Sequence, residues 1–235
     1  MNSDEKPRLV VLTGAGISAE SGLKTFRDSG GLWEGFEVTA VASPQGWERD
    51  PGLVLEFYNQ RRRDVKRAQP NFAHYALARL EQRYDVTVIT QNIDDLHERA
   101  GSTRVIHLHG KILKMRGCRD AGHHFDIDGD IRLGDIAEDG TQMRPHVVWF
   151  GEEVPMIPIA GELVARAELF VLVGSSLQVY PAAGLIRNVA PGVPKYVIDR
   201  KIPDLPSLSN LFVLEQSATA GMEILLPLLL EEKKT

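Results

Sequence analysis

Four short polar clusters carry residue types able to bind a nucleotide or move a proton. Gly14-Ala15-Gly16-Ile17-Ser18-Ala19 fits G-x-G-x-x-[G/A] directly after the apolar run Leu9–Thr13. Bare glycine backbone there can approach a pyrophosphate at the start of a helix, where N–H groups and the helix dipole favour an anion. The alternative is a tight strand-to-helix turn without a ligand, but a place at the first strand favours the nucleotide. Gln91-Asn92-Ile93-Asp94 follows the run Val86–Thr90, and Gly174-Ser175-Ser176 ends the run that starts at Leu169. Asp94 or Asp95 can serve simply as a helix N-cap. Three polar loops at strand ends are nonetheless better explained by one extended ligand than by three separate caps.

The fourth cluster is His109-Gly110, which closes the run Val105–Leu108. A lone histidine is more often structural than catalytic. This one ends a strand on the side of the nucleotide loops and titrates near neutral pH, which makes it the candidate general base. An ordinary dinucleotide dehydrogenase would continue from its glycine loop through a helix and a second strand to a ribose-binding acid. Here Ser21–Trp33 is instead a glycine-punctuated loop holding Phe26, Arg27 and Asp28. A dinucleotide is expected; a hydride-transfer scaffold is not.

The elements that must position these clusters alternate. Leu9–Thr13, Val86–Thr90, Val105–Leu108, His146–Phe150, Leu169–Gly174, Tyr196–Asp199 and Leu211–Leu214 are continuous apolar runs. Such runs predict strands covered on both faces. Helical patterns over Leu53–Arg67, Asn71–Arg83, Asp94–Ala100, Ile159–Ala167, Ala182–Asn188 and Ala220–Glu232 separate many of them. The alternation predicts an α/β fold with a Rossmann-like, doubly wound parallel sheet. Two stretches break it and predict a small second lobe within a single catalytic domain. The large lobe is expected from residues 1–22, 70–110 and 145–235, and the small lobe from 23–69 and 111–144.

With 27 basic against 32 acidic side chains the net charge is −5, so no broad basic surface points to nucleic acid. The basic run Arg61-Arg62-Arg63 with Lys66 and Arg67 reads by default as a solvated helix face. Cys118 is the only cysteine, which excludes an internal disulfide and suits a reducing compartment. Met1–Arg8 is polar without a signal-peptide pattern, and Ile224–Leu230 is too short to span a bilayer. A cytoplasmic, monomeric protein without membrane or nucleic-acid partners is expected.

Taken in order, these blocks resemble the sirtuin family. Gly14–Ser18 with Thr25-Phe26-Arg27-Asp28, Thr90–Asp94, Leu108-His109-Gly110, Arg144–Glu152, Val173–Ser176 and Val179-Tyr180-Pro181-Ala182-Ala183 cover nearly the whole chain. The resemblance implies an NAD-dependent protein deacylase that consumes NAD and acts on acylated lysines. NAD would be held by Gly14, Ala15, Gly16, Ile17, Ser18, Ala19, Phe26, Arg27 and Trp33. Gln91, Asn92, Ile93, Asp94, Gly174, Ser175, Ser176, Asp199 and Ala218 would complete its site. Asn92 would contact the nicotinamide ribose and Asp94 the carboxamide. Val147, Val148, Phe150, Gly151, Val179 and Tyr180 would form two edges between which the substrate peptide adds as a strand. The resemblance further implies cleavage of the nicotinamide bond, capture by the acyl oxygen, and His109 deprotonating a ribose hydroxyl. Free lysine, nicotinamide and O-acyl-ADP-ribose would result.

The chain also departs from that pattern. Most sirtuins carry four zinc-binding cysteines between the positions of His109 and Arg144; here only Cys118 is present. Cys118, His123 and His124 have the wrong spacing for a tetrahedral site, so no zinc is expected. Phe125, Ile127, Ile131, Leu133 and Ile136 are expected to form a minor core instead. Asp199 stands where the family usually has asparagine, and should favour NAD over a 2′-phosphorylated dinucleotide.

On the helix Leu53–Arg67, residues Val54, Tyr58, Arg61 and Val65 share one face, while Arg62, Arg63 and Lys66 are expected at its sides. An inward arginine needs an anion, and the residues alone favour an internal acid. Tyr58 and Arg61, with the small Ala42, resemble the sirtuin branch that takes succinyl-, malonyl- and glutaryl-lysine, where the pair holds the distal carboxylate. The resemblance therefore implies a deacylase of acidic acyl groups with some deacetylase activity. Competing readings are a protein ADP-ribosyltransferase and a non-catalytic NAD or ADP-ribose sensor.

Overall fold

The computed structural model describes residues 5–24, 32–33, 35–120, 122–205 and 207–231. The chain opens with β1 (Arg8–Thr13), α1 (Gly16–Ala19), β2 (Leu32–Trp33), β3 (Phe36–Glu37), α2 (Val38–Val41) and α3 (Pro44–Arg49). It continues through α4 (Pro51–Arg67), α5 (Phe72–Leu80), β4 (Asp85–Thr90), α6 (Leu96–Arg99) and β5 (Val105–His107). Then come β6 (Gly110–Gly117), β7 (His124–Asp126), β8 (Met143–Val147), α7 (Ile157–Ala165) and β9 (Leu169–Val173). A 3-10 helix (Ala182–Asn188), β10 (Lys195–Asp199), β11 (Leu211–Glu215) and α8 (Ala218–Leu230) complete it.

Six parallel strands form one sheet in the order β11-β10-β9-β1-β4-β5. The apolar runs are continuous because both faces are covered. Leu9, Val11, Val86, Val88 and Val171 pack under α5 and α8, while Val10, Leu12, Phe170 and Leu172 pack on the opposite side with α7 and the 3-10 helix. The sequence order reverses direction at β1, whose neighbours are β4 and β9. Ligands in open parallel sheets collect at the carboxyl ends flanking such a point.

One expected strand lies elsewhere. Residues 146–150 do not join the parallel sheet; β8 pairs antiparallel with β6 in a separate sheet of order β7-β6-β8. Pro145 lacks an N–H and suits the edge that β8 occupies. β6 itself was hidden because Lys111, Lys114 and Arg116 interrupt its apolar pattern. Each finds an acid: Lys111 bonds Glu98 at 2.8 Å, Lys114 bonds Asp126 at 2.8 Å, and Arg116 lies 3.7 Å from Glu152.

The expected minor core is not formed. Only Ile131 is buried, Ile127 is half-buried, and Phe125, Leu133 and Ile136 are exposed. Polar bonds from α4 hold that turn instead. Asn59 Nδ2 donates to Ile131 O at 2.9 Å, and Ile131 N donates to Asn59 Oδ1 at 3.0 Å. Arg62 Nη1 donates to Gly129 O at 3.3 Å, Arg63 pairs with Asp130 at 2.7 Å, and Lys66 pairs with Asp128. Arg62 corrects a second expectation. It is not at the helix side but 1% exposed, donating through Nε to Ile112 O at 2.9 Å and through Nη1 to Asn59 at 2.7 Å. Burial lowers its pKa to about 10. The default of a solvated basic face therefore fails for Arg61 and Arg62, both buried.

Cys118, His123 and His124 turn to three different neighbours. Cys118 Sγ donates to Gln142 O at 3.1 Å, His123 pairs with Asp120, and His124 packs against His146 with ring centroids 4.4 Å apart and the planes tilted by 60°. Among the described residues no helix is long and apolar enough to cross a membrane.

Asn59 makes two bonds to one buried residue, so truncation strands both a backbone N–H and a carbonyl. Asn59→Ala is expected to lower the unfolding free energy by about 2–3 kcal/mol, read as a lower urea midpoint. A change below about 0.5 kcal/mol would show that the turn is held by other contacts.

Candidate active site

A cleft of about 1140 Å³ lies at the carboxyl ends of the parallel strands. It is assembled from the loops that follow β1, β4, β5, β9 and β10. The loop after β1 is fastened to the loop after β9: Gly14 N donates to Val173 O at 3.1 Å, and Gly16 N to Gly174 O at 2.9 Å. A Cβ at Gly14 or Gly16 would come within 2.7 Å of the Gly174 backbone. Gly174 has φ +65°, and its own Cβ would sit 2.3 Å from Ile17 N. The glycines thus let two backbones meet, and Gly14, Ala15, Gly16, Ser18 and Ala19 line the cleft. Ile17 does not line it; its side chain is fully buried in the core beneath.

Behind this loop lies a polar centre. Ser18 Oγ donates to Asp94 Oδ2 at 3.0 Å and accepts from Asn92 Nδ2 at 3.0 Å. Burial raises the Asp94 pKa, against opposing bonds from Leu96 N and Ser18. Asp94 Oδ1 also accepts from Leu96 N at 3.2 Å, whereas Asp95, which occupies the N-cap of α6, makes no side-chain capping bond. His107 bonds Asn92 O at 3.0 Å and Glu98 at 2.9 Å, anchoring the Asn92 backbone. Burial opposes ionisation of Glu98, but bonds from His107 and Lys111 outweigh it and hold its pKa at about 2. Gln91 Nε2 donates to Ser175 Oγ at 2.9 Å, tying the β4 loop to the β9 loop.

His109 is placed by one decisive contact: its Nδ1 lies 2.8 Å from Gln91 O. A carbonyl only accepts, so Nδ1 carries the hydrogen and Nε2 keeps its lone pair. Burial depresses the ring's pKa, partly offset by the Gln91 bond, so the ring is a neutral acceptor at pH 7. The side chain lines the cleft.

The other expected site residues gather around it. Gln91, Asn92, Ile93, Asp94, Gly174, Ser175, Ser176, Asp199 and Ala218 all line the cleft. Asp199 Oδ1 accepts from Lys201 N at 3.0 Å. Val147, Val148, Phe150 and Gly151 form one rim, and Val179 and Tyr180 another. Phe150 and Tyr180 are exposed there, as apolar surfaces awaiting a partner often are. Val148 N donates to His109 O at 2.9 Å and Phe150 N to Ala42 O at 2.9 Å, so the first rim is pinned to the backbone of His109 itself. Ala42, Tyr58 and Arg61 line the same cleft; Arg61 Nη2 donates to Lys24 O at 3.1 Å. Phe26 and Arg27 lie outside the described residues, as does the Trp33 side chain.

Trp149 and Glu152 also line the cleft, and Arg144 braces both; none was singled out from sequence. Their motif was visible, but an arginine, an indole and a glutamate spaced over nine residues announce no shared role until folding joins them.

The Sir2 family model matches residues 14–181. The NAD-dependent protein deacylase of Helicobacter pylori is 51% identical over 223 residues, 95% of either chain. That of Bacteroides thetaiotaomicron is 50% identical over 228 residues, 94% of this chain and 97% of that one. A mutant Sir2 homologue solved with ADP-ribose superposes with a TM-score of 0.87 at 37% identity, covering 96% of this chain and 92% of the other.

His74 supports Ser18 from below, its Nε2 lying 3.5 Å from the hydroxyl, and burial lowers its pKa to about 4. The folded state therefore binds fewer protons than the unfolded chain between pH 4 and 6.5. Stability is full above 6.5 and falls as pH drops through that window. An acid-side loss on the order of 3 kcal/mol is expected from His74, and His74→Gln should remove that share in denaturant melts at pH 7.5 and 4, leaving the part due to the neighbouring buried ring of His97.

Proposed function

The chain belongs to the Sir2 family and is an NAD-dependent protein deacylase; from that premise we propose that acidic acyl groups are its preferred cargo. Succinyl-, malonyl- and glutaryl-lysine would be the main substrates, with acetyl-lysine second. The observation that carries this reading is the burial of Tyr58 and Arg61, 2% and 9% exposed, on one face of α4 lining the cleft that contains His109. A guanidinium and a phenol in an enclosed wall suit a carboxylate at the far end of an acyl chain. The small Ala42 beside them leaves room.

In this reading the cofactor lies between the large lobe (1–22, 70–110, 145–235) and the small lobe (23–69, 111–144). The Gly14–Ala19 loop and Ser175–Ser176 would hold its phosphates and adenosine, and Asp199 its adenosine ribose. Asn92 and Asp94, locked to Ser18, would orient the nicotinamide end. Bound NAD supplies a glycosidic bond that breaks with positive charge developing on the sugar. His109 accepts a proton at Nε2 while Gln91 O keeps Nδ1 protonated, so one tautomer serves throughout. The rims at Val147–Gly151 and Val179–Tyr180 would receive the peptide as an added strand.

Mass spectrometry of succinyl- and acetyl-lysine peptides incubated with protein and NAD tests the reading. Succinyl loss should exceed acetyl loss, with O-succinyl-ADP-ribose formed. His109→Ala should abolish turnover of both while retaining NAD. Arg61→Met should lower the succinyl-to-acetyl ratio of kcat/KM about thirtyfold, the worth of roughly 2 kcal/mol in bonds to a charge. Acetyl loss alone would leave Arg61 a structural residue. Label passing from NAD to protein would instead indicate ADP-ribosyl transfer.

A further inference from the structure

The helix that brings Tyr58 and Arg61 to the cleft presents a different set of side chains to a separate hollow. Arg62, Arg63, Lys66 and Arg67 of α4, with Arg132 from the facing turn, line a space of about 440 Å³. Asp128, Gly129 and Asp130 complete the lining, and no residue lines both this space and the cleft. Five cations thus meet two carboxylates, in a chain whose net charge is −5.

The ion pairs here are held loosely on their acidic side. The Lys66 side chain is 38% exposed and that of its partner Asp128 97%; Arg63 is 33% exposed and its partner Asp130 40%. Glu56 and Asp64, also at the surface, pair with Arg63 and Arg67 at 2.6 and 3.6 Å. Pairs with such exposed partners are screened by water and contribute little, so these acids can yield to an anion of higher charge. Neither Arg62 nor Arg132 forms an ion pair among the described residues.

Arg62 also carries an unmet demand. It lines the hollow yet is 1% exposed. Its Nε and Nη1 are committed to Ile112 O, Asn59 Oδ1 and Gly129 O, while Nη2 is buried with no hydrogen-bond partner among the described residues. A buried guanidinium nitrogen without an acceptor is costly. The chemistry that relieves it is an oxygen bearing negative charge.

We propose that this hollow is a binding site for a small multivalent oxyanion of the phosphate class, with Arg62 at its base and Arg63, Lys66, Arg67 and Arg132 around its rim. Guanidinium forks suit phosphate oxygens two at a time, and several converging cations favour multiple charges. The lining holds no aromatic or apolar side chain to take a base or an acyl chain, so the phosphate groups alone are read. A bound ion bridges α4 to the 128–132 turn. The site is independent of the acyl preference argued above.

Isothermal titration of the full chain with inorganic diphosphate tests this. ADP-ribose is present at a concentration that fills the cleft, so that its phosphate-binding loop is occupied, and chloride sets equal ionic strength. One diphosphate per chain should bind, raising the Tm by about 3–5 °C at ten times its Kd. Arg132→Gln and Arg67→Gln alter exposed side chains and should each weaken binding about tenfold, as expected for one bond to a charged group. Arg166→Gln, which removes the same charge from α7, should leave the affinity unchanged. Inorganic triphosphate and a nucleoside triphosphate should bind alike. Heat no greater than in the chloride control would overturn the proposal. Equal weakening by Arg132→Gln and Arg166→Gln would do the same, since the attraction would then belong to the whole surface. Tighter binding of the nucleoside triphosphate would overturn it by showing that a base is recognised.

Discussion

Everything at the site depends on two backbones touching. The loop after β1 lies against the loop after β9 so closely that neither Gly16 nor Gly174 has room for a Cβ. This contact sets the distance between the first strand and its neighbour's outgoing loop. It thereby brings Ser18 within reach of Asn92 and Asp94, and Ser175 within reach of Gln91. Gln91 then offers its carbonyl to His109. A chain of hydrogen bonds thus runs from the glycine contact to the His109 imidazole, each link placed by the one before. The interior polar groups are matched in this chain, which is the condition for burying them at tolerable cost.

The second constraint is that the described residues of the 111–144 region build no large apolar core of their own. A short, polar segment rich in glycine and aspartate cannot order itself by burying methyl groups. Here α4 does the ordering, with Asn59 mimicking a strand partner for Ile131 and Arg62, Arg63 and Lys66 gripping residues 128–130. The exposed pairs among these add little individually. Asn59 and Arg62 are buried and bind backbone directly, so they carry most of the hold.

The parallel sheet was legible because strands covered on both faces read as unbroken apolar runs; Leu9–Thr13 and Leu169–Val173 left little ambiguity. The polar loops at their ends were legible because strand polarity alone places such loops together. The antiparallel sheet was not. In β6, Lys111, Lys114 and Arg116 look like solvent-facing residues until their acids at 98, 126 and 152 are known, and those pairings are long-range. Arg62 was misread for the same reason: helical periodicity places a residue on a face, but cannot say what another segment brings to that face. Within the site, Asn92, Asp94 and His109 announced themselves by type and position, whereas Trp149 looked like ordinary core beside more conspicuous neighbours.

The division of labour along α4 has an evolutionary consequence. Tyr58 and Arg61 face the cleft, while Asn59, Arg62, Arg63 and Lys66 hold residues 112 and 128–131 of the adjoining segment. On the proposed reading, interleaved positions of one helix answer to different selective pressures, one for cargo and one for integrity. If Tyr58 and Arg61 select the acyl group as proposed, drift at 58 and 61 can explore new acyl chains without loosening the fastening. The converse does not hold: losing the fastening would shift the whole helix and blur whatever preference had been reached. Lineages of this kind should diversify their chemistry faster than they diversify their frame.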